Sequence, residues 1–312
     1  MRLTAIDIGT NTILMLIAEI SEEGKVTLVR DEIAFPRLGK GVDDSGMISA
    51  QTFGRVVGVL KNYKQSSDAL GSEKVIACGT SAMRDSRNRH ELIQIIKRET
   101  SIDVEVLTGD EEARWTFIGT IFDSSDREKH FAVIDIGGGS TEVTLGASAR
   151  IEKQVSLDLG CVRLTERFLR SAPPPPKQLE QARLFAKTIL TSIGETRPEK
   201  YDLVGVAGTV TTLAALDQEL TSFDGEKVNG YLLTLERIER IFARLRLQTL
   251  EQICSSPLIA LGRADVLLAG TLILIEFMSL YGFDSITVSN RGLRYGLALR
   301  EFERSKRILT VR

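Results

Sequence analysis

The sequence predicts an α/β protein made of two similar domains, and three observations predict it. The first is a repeated phrase. Aligning Asp7 on Asp135 superposes Ile6-Asp7-Ile8-Gly9 on Ile134-Asp135-Ile136-Gly137, and then Thr10-Asn11-Thr12 on Gly138-Gly139-Ser140. An offset of 128 residues is too long for a solenoid period, and the phrase occurs only twice, so each copy is expected to open a domain with an acid-bearing hairpin. The second observation is that each copy leads through further strand-like runs into alternating strands and helices. The third is length, since 312 residues are long for one core and comfortable for two. Facing hairpins would make a cleft.

Taken in order, Leu3–Ile8, Thr12–Ile20 and Lys25–Ile33 read as a three-stranded antiparallel start. The run from Pro36 to Gly46 has no periodicity and many turn formers, and is expected to be a loop. Ser49 then caps a helix to about Ser66, Lys74–Ala77 is a buried strand, and the helix His90–Glu99 leads to the strand Val104–Leu107. A polar linker, Asp123 to Lys129, precedes the second copy. There the strands are Phe131–Ile136, Thr141–Gly146 and Ile151–Leu157, followed by helices at Val162–Leu169 and, after the stiff Pro173–Pro176 spacer, Gln178–Ile193. Leu203–Val206 is a strand entering the small-residue turn Ala207-Gly208-Thr209 and a helix at Leu213–Leu216. Val266 to Ile275, bounded by Asp265 and Glu276, is too short to span a bilayer and reads as a buried helix. The strand Ser285–Val288, a turn and a helix to about Lys306 end the chain. The basic run from Arg300 to Arg312 is expected to be a solvated helix face, with an anion-guiding role as the lesser reading.

Composition removes several function classes. A hydrophobic content of 43%, a charged content of 26% and a formal charge of −2 describe an ordinary globular protein without a basic field for DNA or RNA. Any polyanion must then be held by a local site. Cys78, Cys161 and Cys254 are far apart and form no C-x-x-C pair, which argues against a disulfide framework or a zinc site and for a reducing cytoplasm. The N-terminus does not read as a signal peptide, and no membrane partner is expected. With only His90 and His130, neither a histidine triad nor a histidine metal cluster is expected. No P-loop and no dinucleotide fingerprint occur.

What remains is carboxylate and magnesium chemistry on a phosphoanhydride. The turn Gly137-Gly138-Gly139 has no Cβ, so backbone N–H groups can approach an anion closely, and Ser140 and Thr141 add hydroxyls. Asp135 and Glu142 flank it. Two carboxylates beside a phosphate repel it unless a hard cation lies between, and Mg²⁺ prefers carboxylate, water and phosphate oxygen. The turn at Gly208 and Thr209, entering a helix, offers a third anion site or is an ordinary strand–helix turn. Thr108-Gly109-Asp110-Glu111 fits a capping box, which employs Glu111 structurally. Glu112 lies further round the same first turn and is either an acid favoured by the macrodipole or a general base toward water. Arg84 either binds phosphate bidentately or pairs with Asp85 or another local acid.

Eight motifs in order then resemble one family: DIGTNT at Asp7, GTSAMRD at Gly79, TGDEEARW at Thr108, DIGGGSTE at Asp135, LGCVRLTERF at Leu159, AGTVTTLAAL at Ala207, GRADVLLAG at Gly262 and SNRGLRYGL at Ser289. They resemble the exopolyphosphatase and guanosine pentaphosphate phosphohydrolase family, within the actin, sugar kinase and Hsp70 fold superfamily. The resemblance implies two actin-like (ribonuclease H-like) α/β domains with an interdomain cleft, residues 1–122 closed by a C-terminal helix 297–312, and residues 123–296. Carried over by position, Glu112 is similar to the catalytic base and Arg84 to a phosphate ligand. Asp135, Glu142 and Asp7 are similar to metal-associated acids for Mg²⁺. Thr10, Asn11 and Thr12, with Gly137, Gly138, Gly139 and Ser140, are similar to phosphate loops, and Gly208 and Thr209 join the substrate-binding set. Leu14 departs from the family, whose members often carry a basic or imidazole side chain there. The chain also ends before the helical domain of the longer members, so it resembles the short ones, for which inorganic polyphosphate is the expected substrate and guanosine pentaphosphate the alternative. A kinase of the same superfamily and a non-catalytic sensor are the other classes, and a homodimer is the expected assembly.

Overall fold

A computed structural model of the chain describes residues 1–124, 128–148, 150–195 and 198–310, with the backbone alone for 198 and 307–310. It divides into two units, Met1–Thr120 with Gly292–Arg312, and Ile121–Arg291. The expected linker falls partly, and the last two residues of the expected C-terminal helix wholly, outside the described residues.

Unit 1 opens with β1 (Arg2–Ile8), β2 (Ile13–Ile20) and β3 (Val26–Ala34), each antiparallel to the next. There follow α1 (Val42–Ser45), α2 (Ala50–Ala69), β4 (Lys74–Gly79), α3 (Ser81–Asp85), α4 (Arg89–Thr100), β5 (Val104–Val106) and α5 (Gly109–Ile121). Among the described residues the sheet order is β3-β2-β1-β4-β5, with β1, β4 and β5 parallel. Burial follows position: Leu3, Ala5, Ile6 and Ile8 of the central β1 are wholly buried, whereas Leu28, Val29 and Ile33 of the edge strand β3 are exposed. Ser49 caps α2 as expected, its hydroxyl accepting from the Thr52 amide. The expected loop at 36–46 instead contains the single turn of α1, bracketed by Gly41 and Gly46 with φ of 74° and 66°. Left-handed glycines start and stop the turn more sharply than periodicity reveals.

Unit 2 runs through β6 (His130–Ile136), β7 (Thr141–Ala147), β8 (Arg150–Leu157), α6 (Cys161–Phe168), α7 (Pro176–Thr191), β9 (Asp202–Val206), α8 (Ala207–Asp217), α9 (Gly225–Val228), β10 (Leu232–Thr234), α10 (Leu235–Leu245), α11 (Leu250–Cys254), α12 (Leu267–Tyr281) and β11 (Ser285–Val288). Its described sheet order is β10-β11-β9-β6-β7-β8, with β6, β9 and β11 parallel. Two expectations need correction. Pro176 opens α7 at the first helical turn instead of ending a spacer, because a missing N–H costs nothing there. Ala207-Gly208-Thr209 is already the first turn of α8 and not a loop before it. The buried helix expected at Val266–Ile275 is α12, which runs on to Tyr281 because Glu276 is paired with Arg183 at 2.9 Å and so does not end it.

The two sheets share more than an order. In unit 1 Asp7 pairs across to Leu14 on β2 and in parallel to Cys78 on β4; in unit 2 Asp135 pairs to Glu142 on β7 and to Val206 on β9. Every partner moves by the same 128 positions. Each unit thus has a central strand with an antiparallel pair on one side and parallel strands on the other, the actin-like arrangement, to which unit 2 adds β10 as an antiparallel edge strand.

The last element, α13 (Leu293–Thr310), belongs to unit 1, where it lies against β1, β2 and β4. Arg300 is buried there and donates to Glu105 at 2.7 Å, Glu301 pairs with Lys74 at 2.5 Å, and Arg294 pairs with Asp31. The solvated face expected for the basic run therefore does not begin at Arg300: one face of that helix covers a sheet. Among the described residues no helix is long and apolar enough to cross a membrane, and all three cysteines are free.

Candidate active site

The glycine turn of unit 2 is held from behind by the start of α6. The Cys161 amide donates to Gly137 O at 2.9 Å, and the amides of Val162 and Arg163 donate to Gly138 O at 2.8 and 3.1 Å. The Arg163 side chain donates from Nε to Gly139 O at 2.9 Å. This packing needs a glycine at 160, since a Cβ there would lie 2.3 Å from Gly138 O. In a trans peptide a carbonyl and the following N–H point in opposite directions. With three successive carbonyls bound toward α6, the amides of Gly138, Gly139 and Ser140 face away from it, and among the described residues none of the three donates to a protein acceptor. One of the two hydroxyls beside the turn is engaged within the protein. Thr141 Oγ1 is buried and spent on Leu159 O at 2.5 Å, and Ser140 is 3% exposed.

Beside the turn, strand register builds a polar row. Asp135, Glu142 and Ser156 are direct cross-strand partners on β6, β7 and β8 and therefore share a face. Glu142 is buried, and its Oε1 accepts from Ser156 Oγ at 2.6 Å. Among the described residues no three metal-ligating side chains gather at one point. A carboxylate pair of this kind fits Mg²⁺, which keeps waters and takes substrate oxygens to complete its shell. In unit 1 the equivalent row is broken, because Leu14 stands opposite Asp7.

The unit 1 turn repeats the backbone arrangement. Gly39 N donates to Thr10 O at 2.7 Å and Arg37 N to Asn11 O at 3.2 Å, which directs the amides of Asn11 and Thr12 the other way. The Thr10 methyl fills the space a Cβ would take at Gly39. The Thr10 side chain is packing, and the backbone amides are the chemistry this turn offers.

Arg84 and Glu112, 28 positions apart, meet in the same unit. Arg84 Nη1 donates to Glu112 Oε2 at 2.5 Å and to Leu107 O at 3.1 Å. Burial pushes the Glu112 carboxyl above its usual range, and the neighbouring guanidinium opposes that push. Glu111 is otherwise employed. Its Oε2 accepts from the Thr108 amide and hydroxyl at 2.9 Å, while its own amide donates to Thr108 Oγ1, which is the expected capping box. Those hydrogen bonds, the backbone one first, hold its carboxyl below the usual range.

At the start of α8 the Arg263 guanidinium lies flat against Gly208, where a Cβ would be 1.8 Å from Cζ, and donates to Gly208 O at 2.7 Å. Thr209 is 3% exposed, and its hydroxyl occupies the space above Gly270 of α12. The side chain at 209 thus seats α8 on α12. Arg163, Ser156 and Arg263 were given no role from the sequence. The strand alternation that places Glu142 also places Ser156, and was the one signal available; the two arginines act on carbonyls distant in the chain.

The model of the Ppx/GppA phosphatase family matches residues 16–305. Exopolyphosphatase 2 of Mycobacterium tuberculosis is 33% identical over 96% of this chain and 98% of its own length. The crystal structure of the Aquifex aeolicus Ppx/GppA family member is similar at 31% identity and a TM-score of 0.82, covering 98% of both chains. An exopolyphosphatase structure from Cytophaga hutchinsonii has a TM-score of 0.88 at 28% identity, covering 97% of this chain and 98% of that one. The eight ordered motifs, the doubled sheet and these full-length similarities lead to one conclusion: the chain belongs to the Ppx/GppA phosphatase family.

Proposed function

We propose that the chain is a Mg²⁺-dependent exopolyphosphatase that removes the terminal phosphate of inorganic polyphosphate as orthophosphate. The observation that carries the reading is the unit 2 turn, whose carbonyls are tied to α6 while three consecutive amides face away from it and donate to no acceptor among the described residues, a nest for phosphate oxygens. Relatives at full length named exopolyphosphatase supply the substrate class.

Phosphoryl transfer asks for position and charge stabilisation more than for covalent chemistry. The amides of Gly138, Gly139 and Ser140 hold phosphate oxygens, and those of the Thr10–Thr12 turn do the same in their unit. Glu112 orients a water and takes its proton as the water oxygen attacks the terminal phosphorus. The bond from that phosphorus to the bridging oxygen breaks, and the shortened chain leaves with its charge on that oxygen. The Arg84 guanidinium opposes the burial that disfavours ionised Glu112, and its planar fork of five donors suits both carboxylate and phosphate oxygen. Asp135 and Glu142 would hold Mg²⁺, with Asp7 as the corresponding acid of unit 1; bound there, the ion neutralises charge on phosphate oxygens.

The test is orthophosphate release from short and long polyphosphate, guanosine pentaphosphate and ATP, each with and without Mg²⁺. The expected result is Mg²⁺-dependent release with the highest kcat/KM on polyphosphate. A higher kcat/KM on guanosine pentaphosphate would replace the substrate, and ATP consumption only with an added acceptor would replace the reaction by phosphoryl transfer.

A further inference from the structure

The unit 2 turn depends on one side chain in a way its unit 1 counterpart does not. In unit 1 the two held carbonyls, of Thr10 and Asn11, are bound by backbone amides. In unit 2 backbone amides hold Gly137 O and Gly138 O, but Gly139 O is held by Arg163 Nε. That carbonyl belongs to the peptide whose other end is the Ser140 amide. Arg163 therefore binds two successive carbonyls, Gly138 through its backbone and Gly139 through its side chain. Its side chain is only 13% exposed, and Asp158 Oδ1 lies 3.8 Å from Nη2.

We propose that Arg163 is a positioning residue for the reaction: by fixing the Gly139–Ser140 peptide plane it keeps the Ser140 amide turned away from α6 as a phosphate donor. The proposal rests on the phosphate-binding reading of this turn. Its physical basis is that Gly139 has no side chain to restrict its ψ. Without Arg163, no other hydrogen bond among the described residues holds the Gly139 carbonyl, and rotation of that peptide is opposed by the φ preference and packing of Ser140. Rotation would turn the Ser140 N–H inward and present Gly139 O to the anion, exchanging a donor for a negative dipole.

Nearness alone would allow a different role, a direct charge contact with substrate, and two substitutions separate the roles. In glutamine, Nε2 stands the same number of bonds from Cα as arginine Nε, so Arg163→Gln keeps the donor and loses the charge. Arg163→Lys keeps the charge and puts a carbon at that position. Arg163→Ala loses both. Positioning predicts that Arg163→Gln retains a KM for tripolyphosphate within about threefold of the parent. Arg163→Lys and Arg163→Ala should raise KM about ten- to a hundredfold, the range for a hydrogen bond that controls a charged ligand, with kcat much less affected. A direct charge contact predicts the reverse ranking, with lysine active and glutamine impaired, and that result would overturn the proposal.

A second measurement separates this proposal from the reading beneath it. Tripolyphosphate is titrated into the isotope-labelled full chain while the amide resonances of Gly138, Gly139 and Ser140 are followed, with thermal midpoints recorded for every variant. The parent is expected to shift at all three amides, Arg163→Gln likewise, and Arg163→Lys to lose the Ser140 shift selectively. Equal shifts in every folded variant would overturn the role of Arg163 alone. No shift in the parent would overturn the anion turn and the proposal together. If Arg163→Ala does not fold, the glutamine and lysine pair still decides the question.

Discussion

Two adjacent glutamates at one helix start have opposite surroundings, and the difference is testable. Glu111 is spent on its cap and exposed, so Glu111→Gln, which can still accept from Thr108, should leave turnover nearly intact. Glu112 is 8% exposed and paired with Arg84, and Glu112→Gln should lower turnover about 10²–10⁴-fold, the usual worth of a general base, with binding retained. Steady-state kinetics on the two mutants checks this, and equal losses would remove Glu112 as the base. The pH profile carries a further signature. A base works when ionised, and burial raises the Glu112 carboxyl above the ordinary value of about 4.3, so kcat/KM should rise with pH along a limb whose midpoint lies above that value. Arg84→Gln removes the cation that opposes the rise and should move the limb to still higher pH in whatever activity remains; a limb that stays in place would separate it from Glu112.

At the scale of elements, the informative unit is the row of side chains across β6, β7 and β8. Register brings Asp135, Glu142 and Ser156 onto one face, and the serine occupies one oxygen of the buried glutamate. Asp135→Asn removes one charge from this row, so the Mg²⁺ concentration for half-maximal orthophosphate release should rise while the fold persists. An unchanged metal dependence would make Asp135 structural. The two acids of this row, the α2 cap at Ser49 and the capping box at Thr108 were legible because each follows from rules acting over a few residues: acids flanking a glycine turn, a side-chain oxygen before a helix, and an acid three positions on. The turn of α1 and the true start of α8 were not legible. Gly41 and Gly46 look like loop glycines until their φ is known, and Ala207 enters α8 from a φ of 67° that its side chain disfavours.

Across the whole molecule, the chain leaves unit 1 at α5 and returns to it with α13, whose Arg300 is 4% exposed and holds Glu105 and Cys78 together. Arg300→Ala should cost about 1–3 kcal/mol, less than for a fully buried ion pair because water can reach Glu105. Chemical denaturation followed by circular dichroism measures it; a midpoint unchanged from the parent would mean that α13 docks by its apolar face alone. The sequence by itself determined that there are two α/β halves 128 residues apart, where their central strands lie, and which acids flank the turns. Periodicity, glycine placement and a repeated phrase are properties of neighbours along the chain and can be read in order. Only the tertiary structure decided that Arg84 meets Glu112, that α6 binds the carbonyls of the glycine turn and leaves its amides facing away, and that Arg300 lies between α13 and the sheet instead of in solvent. Those outcomes depend on which surfaces pack together, and a long polar side chain takes its partner from that packing and not from its position in the sequence.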